Sequence, residues 1–234
     1  GLVCSGAGRR VGPLSIEVRG GEVLGIAGVT GSGQGPLVET LVGLRPARSG
    51  RILLGGQEIT SLGVAARRAA GLAYMAEDRM RTGLAIEASL ADNAVAGREG
   101  AADFASGPLR RLSSIAEFGR HLIAQFAIRA TGPEQRVAEL SGGNKQKIII
   151  GRELTGAPQL IVAHNPCWGV DIGAIHFIQG QLLQAAANGA AVILVSSELD
   201  ELFALSDRLA VLCDGQMTAL VERAGSDLDQ TALD

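Results

Sequence analysis

Aromatic residues make up only 3% of this 234-residue chain, with one Trp, one Tyr and five Phe, and lysine occurs only at Lys145 and Lys147. There is no block of Lys or Arg, no aromatic interleaved with basic residues, and the formal net charge is −3. The electrostatic footprint of a nucleic-acid-binding surface is therefore missing, and nucleic acid is not expected as a partner. No apolar run approaches the roughly eighteen uncharged residues that a membrane-spanning helix needs. No basic stretch followed by an apolar one stands at the start, which fits a reducing cytoplasm. The three cysteines, Cys4, Cys167 and Cys213, are odd in number and scattered, which fits a reducing compartment better than a disulfide framework. The chain opens on Gly1 rather than Met, as an excised part of a longer protein does. Nearly half of the residues are apolar, 47%, enough for a full core, while the length is short for two independent α/β domains. One domain spanning residues 1–234 is the expectation.

The first third is strand-rich. An alternating segment Leu14 to Arg19, a Gly20-Gly21 turn and an apolar strand Val23 to Ala27 lead directly into a glycine-rich loop. Pro36 suits the first turn of a helix running to Leu44, where N–H groups have no intrahelical acceptor. Arg51 to Leu54, Gly55-Gly56 and Gln57 to Ile59 spell a β-hairpin, and Gly71 to Met75 another strand. The middle changes period: Ser114 and Glu117 form a capping-box pattern ahead of the stripe Ile115, Phe118, Leu122 and Phe126. A helical insert, roughly residues 85–155, is predicted. Strands at Gln159 to Ala163, Ala190 to Ser196 and Arg208 to Leu212 alternate with helical segments afterwards, the pattern of a mainly parallel sheet.

Two loops carry chemistry. Leu140-Ser141-Gly142-Gly143-Asn144-Lys145-Gln146-Lys147 precedes a helical run, Ile148 to Thr155, stopped by Gly156. The small residues let backbone approach a phosphate, and the helix that follows aims N–H groups and the positive end of its dipole at the anion. An ordinary Ser N-cap explains three such residues but not eight. The second loop, Gly28-Val29-Thr30-Gly31-Ser32-Gly33-Gln34-Gly35, has the glycine spacing of a P-loop. Gln34 stands where the phosphate-binding lysine belongs and Gly35 where the Mg²⁺-ligating hydroxyl belongs. Backbone N–H groups of Gly31 to Gly35 form a nest able to hold an anion weakly. On its own the loop fits a tight strand-to-helix turn without ligand equally well. A dinucleotide fingerprint fails, because it needs glycine where Pro36 stands.

The first of these loops resembles the signature of the ATP-binding cassette (ABC) family, and further segments follow in that family's order. Leu160 to Ala163 resembles its Walker B strand, with His164 and Asn165 in place of the metal-orienting and water-activating carboxylates, and Asp171 at the D-loop aspartate. Asn165 cannot accept a proton at neutral pH. His164 is more often a structural residue at a strand end, and with Cys167 it lacks the further ligands of a metal site. Ser197 falls at the switch histidine and Glu77 at the Q-loop glutamine. No aromatic precedes Tyr74, so the adenine-stacking residue of many cassettes is absent. Taken alone, Glu77-Asp78-Arg79 reads as a solvated charged turn. Together with Gly173 to Ile178 it resembles the second cassettes of bacterial simple-sugar and nucleoside importers, the nucleoside branch above all.

The resemblance implies an α/β fold with a P-loop ABC ATPase-like core, an antiparallel β-subdomain and an inserted α-helical subdomain. It also implies ATP as cofactor, with Mg-ATP mainly at a site completed with a second ABC cassette, fused or separate. Integral membrane permease subunits, and indirectly a substrate-binding protein, are implied partners, at the cytoplasmic face of the membrane. A general base alone is worth about 10²–10⁴ in rate. With lysine, hydroxyl, both carboxylates and histidine all changed, hydrolysis at this chain's own P-loop is expected near background, and no metal site is expected. The alternatives are an ATPase active in its own right, a cassette of a non-transport ABC protein, or a decayed product. Decay would not spare the signature, and the lack of a long coiled-coil insertion argues against the chromosome-maintenance branch.

Overall fold

The computed structural model describes residues 1–6, 9–29 and 31–222. In chain order the elements are β1 (Leu2–Gly6), β2 (Arg9–Leu14), β3 (Val23–Ala27), α1 (Gln34–Val42), β4 (Leu53–Leu54), β5 (Gln57–Glu58), α2 (Val64–Ala69) and β6 (Leu72–Met75). Then follow α3 (Leu90–Val95), β7 (Ala105–Ser106), β8 (Leu109–Arg110), α4 (Leu112–Gln125), α5 (Gly142–Leu154), β9 (Leu160–His164), α6 (Ile172–Ala187), β10 (Ala191–Val195), α7 (Leu199–Leu205), β11 (Arg208–Cys213) and β12 (Gln216–Glu222). They fall into two compact units, one drawn from Gly1–Tyr74, Ala157–Asn165 and the chain from Leu182 onward, the other from Met75–Gly156 and Pro166–Gln181.

The first unit is built on a six-stranded sheet of order β12-β11-β3-β10-β9-β6. Strands β9, β10, β3 and β11 run parallel, and β12 closes one edge antiparallel. Every residue of β3, β9 and β10 is buried, which is why these strands read as continuous apolar runs rather than alternating ones. Leu24, Ile26, Val162, Ile193 and Val195 form one core with Leu37 and Val38 of α1 and with Cys4 and Val11 of the β1–β2 hairpin. Outside this sheet the unit carries the antiparallel hairpins β1–β2 and β4–β5.

The expected strand over Leu14 to Arg19 is not present: only Leu14 is in a strand. Ile16 and Val18 pack against the core without joining the ladder, so the alternation records half-burial alone. The first helix starts at Gln34 and ends at Val42, with Gly43 in the left-handed conformation, φ 85°, accepting the role of C-cap.

A feature that local patterning does not announce is Arg67, 1% exposed. From α2 its guanidinium donates to the carbonyls of Thr40 (2.6 Å), Leu41 (2.7 Å), Thr60 (2.7 Å) and Leu62 (2.8 Å). Two of these carbonyls belong to the last turn of α1, where only Thr40 has a backbone donor, the C-cap Gly43 amide at 3.4 Å. Burial lowers the Arg67 pKa, and the carbonyls offset that cost.

The second unit is helical. Phe104, Ile115, Ala91 and Val95 form one small cluster of it, with Phe118 against it. Ser89 caps α3 by accepting from the Asp92 amide at 3.0 Å. The Ser89 hydroxyl and the Arg110 guanidinium hold the Asp92 carboxyl below its usual range. The capping box expected at Ser114 does not form: α4 begins at Leu112 and its N-cap, Arg111, makes no side-chain capping bond. The helix thus gains the turn containing Leu112 and Ser113, and Ser114 lies inside it. Among the described residues, no helix is long and apolar enough to cross a membrane.

The arginine core of the first unit makes a stability prediction. Arg67→Met should cost about 3 kcal/mol or more, because four carbonyls lose the guanidinium and Thr40 keeps only the Gly43 amide at 3.4 Å. Denaturant unfolding of the two proteins measures the difference, and a change within experimental scatter would show that water replaces the guanidinium.

Candidate functional site

Parallel pairing of β3, β10 and β9 places Ile26 opposite Val195 and Val195 opposite His164. The loops that follow these strands therefore leave the sheet from one edge, the edge at which open α/β sheets bind ligands. His164 is buried at the end of β9. Asn165 takes a left-handed conformation, φ 45°, tolerable for Asn, and its amide donates to the Val195 carbonyl at 2.7 Å. Its carboxamide Oδ1 accepts from the Ser197 amide at 2.9 Å and meets the Ser197 hydroxyl at 3.5 Å. The structure thus brings Asn165 and Ser197 together as a hydrogen-bonded pair. Beside them the Ser196 hydroxyl donates to buried Glu201 at 2.6 Å and accepts from the Glu198 amide. The loop after β10 is tied down on both sides.

The loop after β3 carries Gly28, Gly31, Ser32 and Gly33, and Gln34 and Gly35 open α1; Thr30 lies outside the described residues. Gly33 has φ 114° and precedes α1 as a left-handed N-cap without a side-chain bond, a geometry that only glycine takes at low cost. A Cβ on Gly31 or Gly35 would meet nothing within 4 Å, so their backbone is approachable. Gln34, by contrast, is buried and folds back, its Nε2 donating to the Gly28 carbonyl.

In the second unit, Ser141 is the N-cap of α5. Its Oγ accepts from the Asn144 side chain at 2.9 Å and from the Asn144 amide at 3.4 Å. With its lone pairs so engaged, the hydroxyl has one capacity left, which is to donate. Gly142 and Gly143 supply the first-turn N–H groups, which have no intrahelical acceptor. Gly143 must be glycine for a second reason: a Cβ there would lie 3.0 Å from Asp171 Oδ2 and 3.1 Å from Ala174. Asp171 caps α6 by accepting from the Ala174 amide at 2.9 Å. Leu140, Lys145 and Gln146 are buried, and the Lys145 ammonium donates to the Ala138 carbonyl at 3.1 Å. They hold the helix in its unit rather than lining its mouth. Glu77 is exposed, two residues beyond β6.

Sequence reasoning placed Arg79 in the segment that resembles the importers' second cassettes but gave it no contact of its own. Its Nη1 and Nη2 donate to the Trp168 and Gly169 carbonyls at 2.6 and 2.7 Å. Asp78 holds the turn beneath it, its carboxylate accepting from the Met80 and Arg81 amides. No local spacing signals a contact across about ninety residues.

Residues 11–167 match the family model for ABC transporters. The chain belongs to the ABC transporter family. It is 37% identical over 212 residues to the nucleoside import ATP-binding protein NupA of Lactococcus lactis subsp. cremoris, covering 91% of this chain and 42% of that protein. To the guanosine import ATP-binding protein NupO of Bacillus subtilis it is 36% identical over 208 residues, 89% of this chain and 41% of the relative. The ribose import ATP-binding protein RbsA of Halalkalibacterium halodurans is similar at 37%, again with 42% of its length covered. The chain therefore spans less than half the length of these relatives. In fold it is similar to a nucleotide-free ATP-binding cassette of an ABC transporter, with a TM-score of 0.78 at 24% identity and 96% and 90% of the two chains covered. It is also similar to a cassette bound to ADP and Pi in a dimeric post-hydrolysis state, TM-score 0.77 at 17% identity, 95% and 96% covered. The fold is that of an ABC ATPase cassette.

The Asn165–Ser197 bond yields its own test. In Asn165→Gly the left-handed backbone is kept at no steric cost while the acceptor is lost. The Ser197 amide should then exchange its hydrogen about tenfold faster or more, with the unfolding midpoint little changed. Unchanged protection would mean that the loop is held by its backbone alone.

Proposed function

We propose that residues 1–234 act as one nucleotide-binding domain of an ABC importer, serving a partner cassette's ATP site rather than an active site of its own. The carrying observation is Gln34: the side chain at the lysine position is spent on the Gly28 carbonyl and brings no charge to a phosphate. Gly35 offers no hydroxyl, and His164 and Asn165 offer no carboxylate, so this set lacks the carboxylate and hydroxyl ligands through which Mg²⁺ is held beside phosphate. The approachable backbone of Gly31 and Gly35 suits an anion held weakly. Asn165, at the position of the base, has its oxygen engaged with Ser197 and has no basic lone pair to offer water.

The signature end differs. Ser141 retains a donor, Gly142 and Gly143 present backbone amides, and α5 is long enough to contribute its dipole. Such an N-terminus stabilises charge developing on a phosphoryl group supplied by another chain or domain. Nucleoside or simple-sugar import follows from the relatives, whose names include nucleoside, guanosine and ribose import. Permease subunits, a second cassette and a substrate-binding protein are the corresponding partners, at the cytoplasmic face of the membrane.

Titration of the isolated chain with Mg-ATP should give weak binding and background turnover, and Asn165→Glu alone should not restore hydrolysis, since groups acting as a unit do not add. Tight binding with steady turnover by the pure protein would overturn the reading.

Paired with an intact cassette, Ser141→Arg should abolish ATP turnover and uptake, because a bulky side chain blocks the mouth of α5. Gln34→Ala should change both by less than about twofold, since it alters a site already without its catalytic groups. Equal losses in reconstituted transport would show that both sites turn over, and normal activity in Ser141→Arg would refute the role given to the signature.

A further inference from the structure

We infer that Arg79 is a positioning residue for the phosphate-facing end of α5, acting through the backbone of residues 168–169. The inference rests on reading that end as half of an ATP site. Three observations within the second unit carry it. The first is the fork: two guanidinium nitrogens reach two successive carbonyls, those of Trp168 and Gly169, at 2.6 and 2.7 Å. A planar fork with fixed donor geometry fixes both peptide planes at once, which a single ammonium cannot do. The second is proximity to the signature. A Cβ built on Gly142 would lie 3.4 Å from Arg79 Nη2 and 3.6 Å from the Gly169 carbonyl oxygen. The clamp and the clamped turn thus stand against the first residue of α5. The third is that the same turn leads into Asp171, whose carboxylate would be 3.0 Å from a Cβ on Gly143 and caps α6.

Gly169 is left-handed, φ 65°, and a turn that ends on a glycine has many conformations to lose. Arg79 removes that freedom by holding the carbonyls on either side of the Gly169 Cα. Its charge also adds to the positive end of α5, favouring an anion at the mouth. Asp78 fixes the base of the arginine by capping the turn at 79–83, so the side chain starts from a defined place. The role is one of orientation: both donors described are given to carbonyls, and the residues facing the phosphate remain Ser141, Gly142 and Gly143.

Trp168 is the only tryptophan in the sequence and its side chain is 61% exposed, which makes it a built-in reporter. In Arg79→Lys, charge is kept and the fork is lost. Time-resolved fluorescence anisotropy of the 234-residue protein should show added nanosecond motion at Trp168, with the thermal midpoint nearly unchanged. In the assembled transporter, kcat for ATP should fall about tenfold or more in both Arg79→Lys and Arg79→Gln, with KM within about twofold, as misplacement of a catalytic element does. Ser141→Arg is measured alongside. Loss of turnover in Ser141→Arg with normal kcat in Arg79→Lys would overturn the clamp and leave the half-site standing. Retained turnover in Ser141→Arg would instead remove the half-site itself. An anisotropy decay identical to the parent's would overturn the clamp whatever the turnover.

Discussion

The register of three parallel strands is the constraint on which the first unit's chemistry depends. Because Ile26, Val195 and His164 stand in one row, the glycine-rich loop, the Asn165 turn and the Ser197 loop all begin at the same edge of the sheet. The strands are buried along their whole length, so a slip of one residue would drive polar loop residues into the core. The edge is also where parallel strands end with unpaired backbone groups. Those groups are answered here from within: Asn165 donates to Val195 and accepts from Ser197, and Gln34 donates to Gly28.

Such internal answers are what the proposed supporting role rests on. A group that will take a proton or meet a phosphate must keep a lone pair or a charge uncommitted until substrate arrives. At 34 and 165 the side chains are carboxamides, neutral and already bonded. At the start of α5 the opposite holds, since capping by Asn144 uses the acceptor capacity of Ser141 and leaves its donor. One end of the chain's chemistry is settled internally and the other faces outward, which is the physical basis for assigning it a supporting part in a shared site.

Much of this was legible in the sequence. Strands β3, β6, β9, β10 and β11 are apolar runs closed by glycine or polar residues, and the structure places their ends within a residue or so of expectation. The signature helix was equally clear, though it starts at Gly142, ahead of the apolar run. The β1–β2 hairpin escaped because its strands are short and rich in glycine and arginine. Strand β12 escaped because it alternates half-buried and exposed residues on a sheet edge, and α2 because its Ala-Arg composition has no apolar stripe. Within the site, residue types and order could be read, but the interactions that define it could not. Arg67 with Thr40, Asn165 with Ser197 and Arg79 with Trp168 join residues far apart in sequence, and no local period encodes them. A charged turn and a clamp look alike until the fold brings the carbonyls to the arginine.

The central claim is that, of the two nucleotide sites in a pair of cassettes, only the one completed by this chain's signature turns over. Counting phosphate released in a single closure of the assembled transporter tests it most directly, with nucleotide prebound and excess removed. The expected result is one ATP hydrolysed per pair that this chain forms with an intact cassette. Two per pair would contradict it, because the second could come only from the site of Gln34 and Asn165.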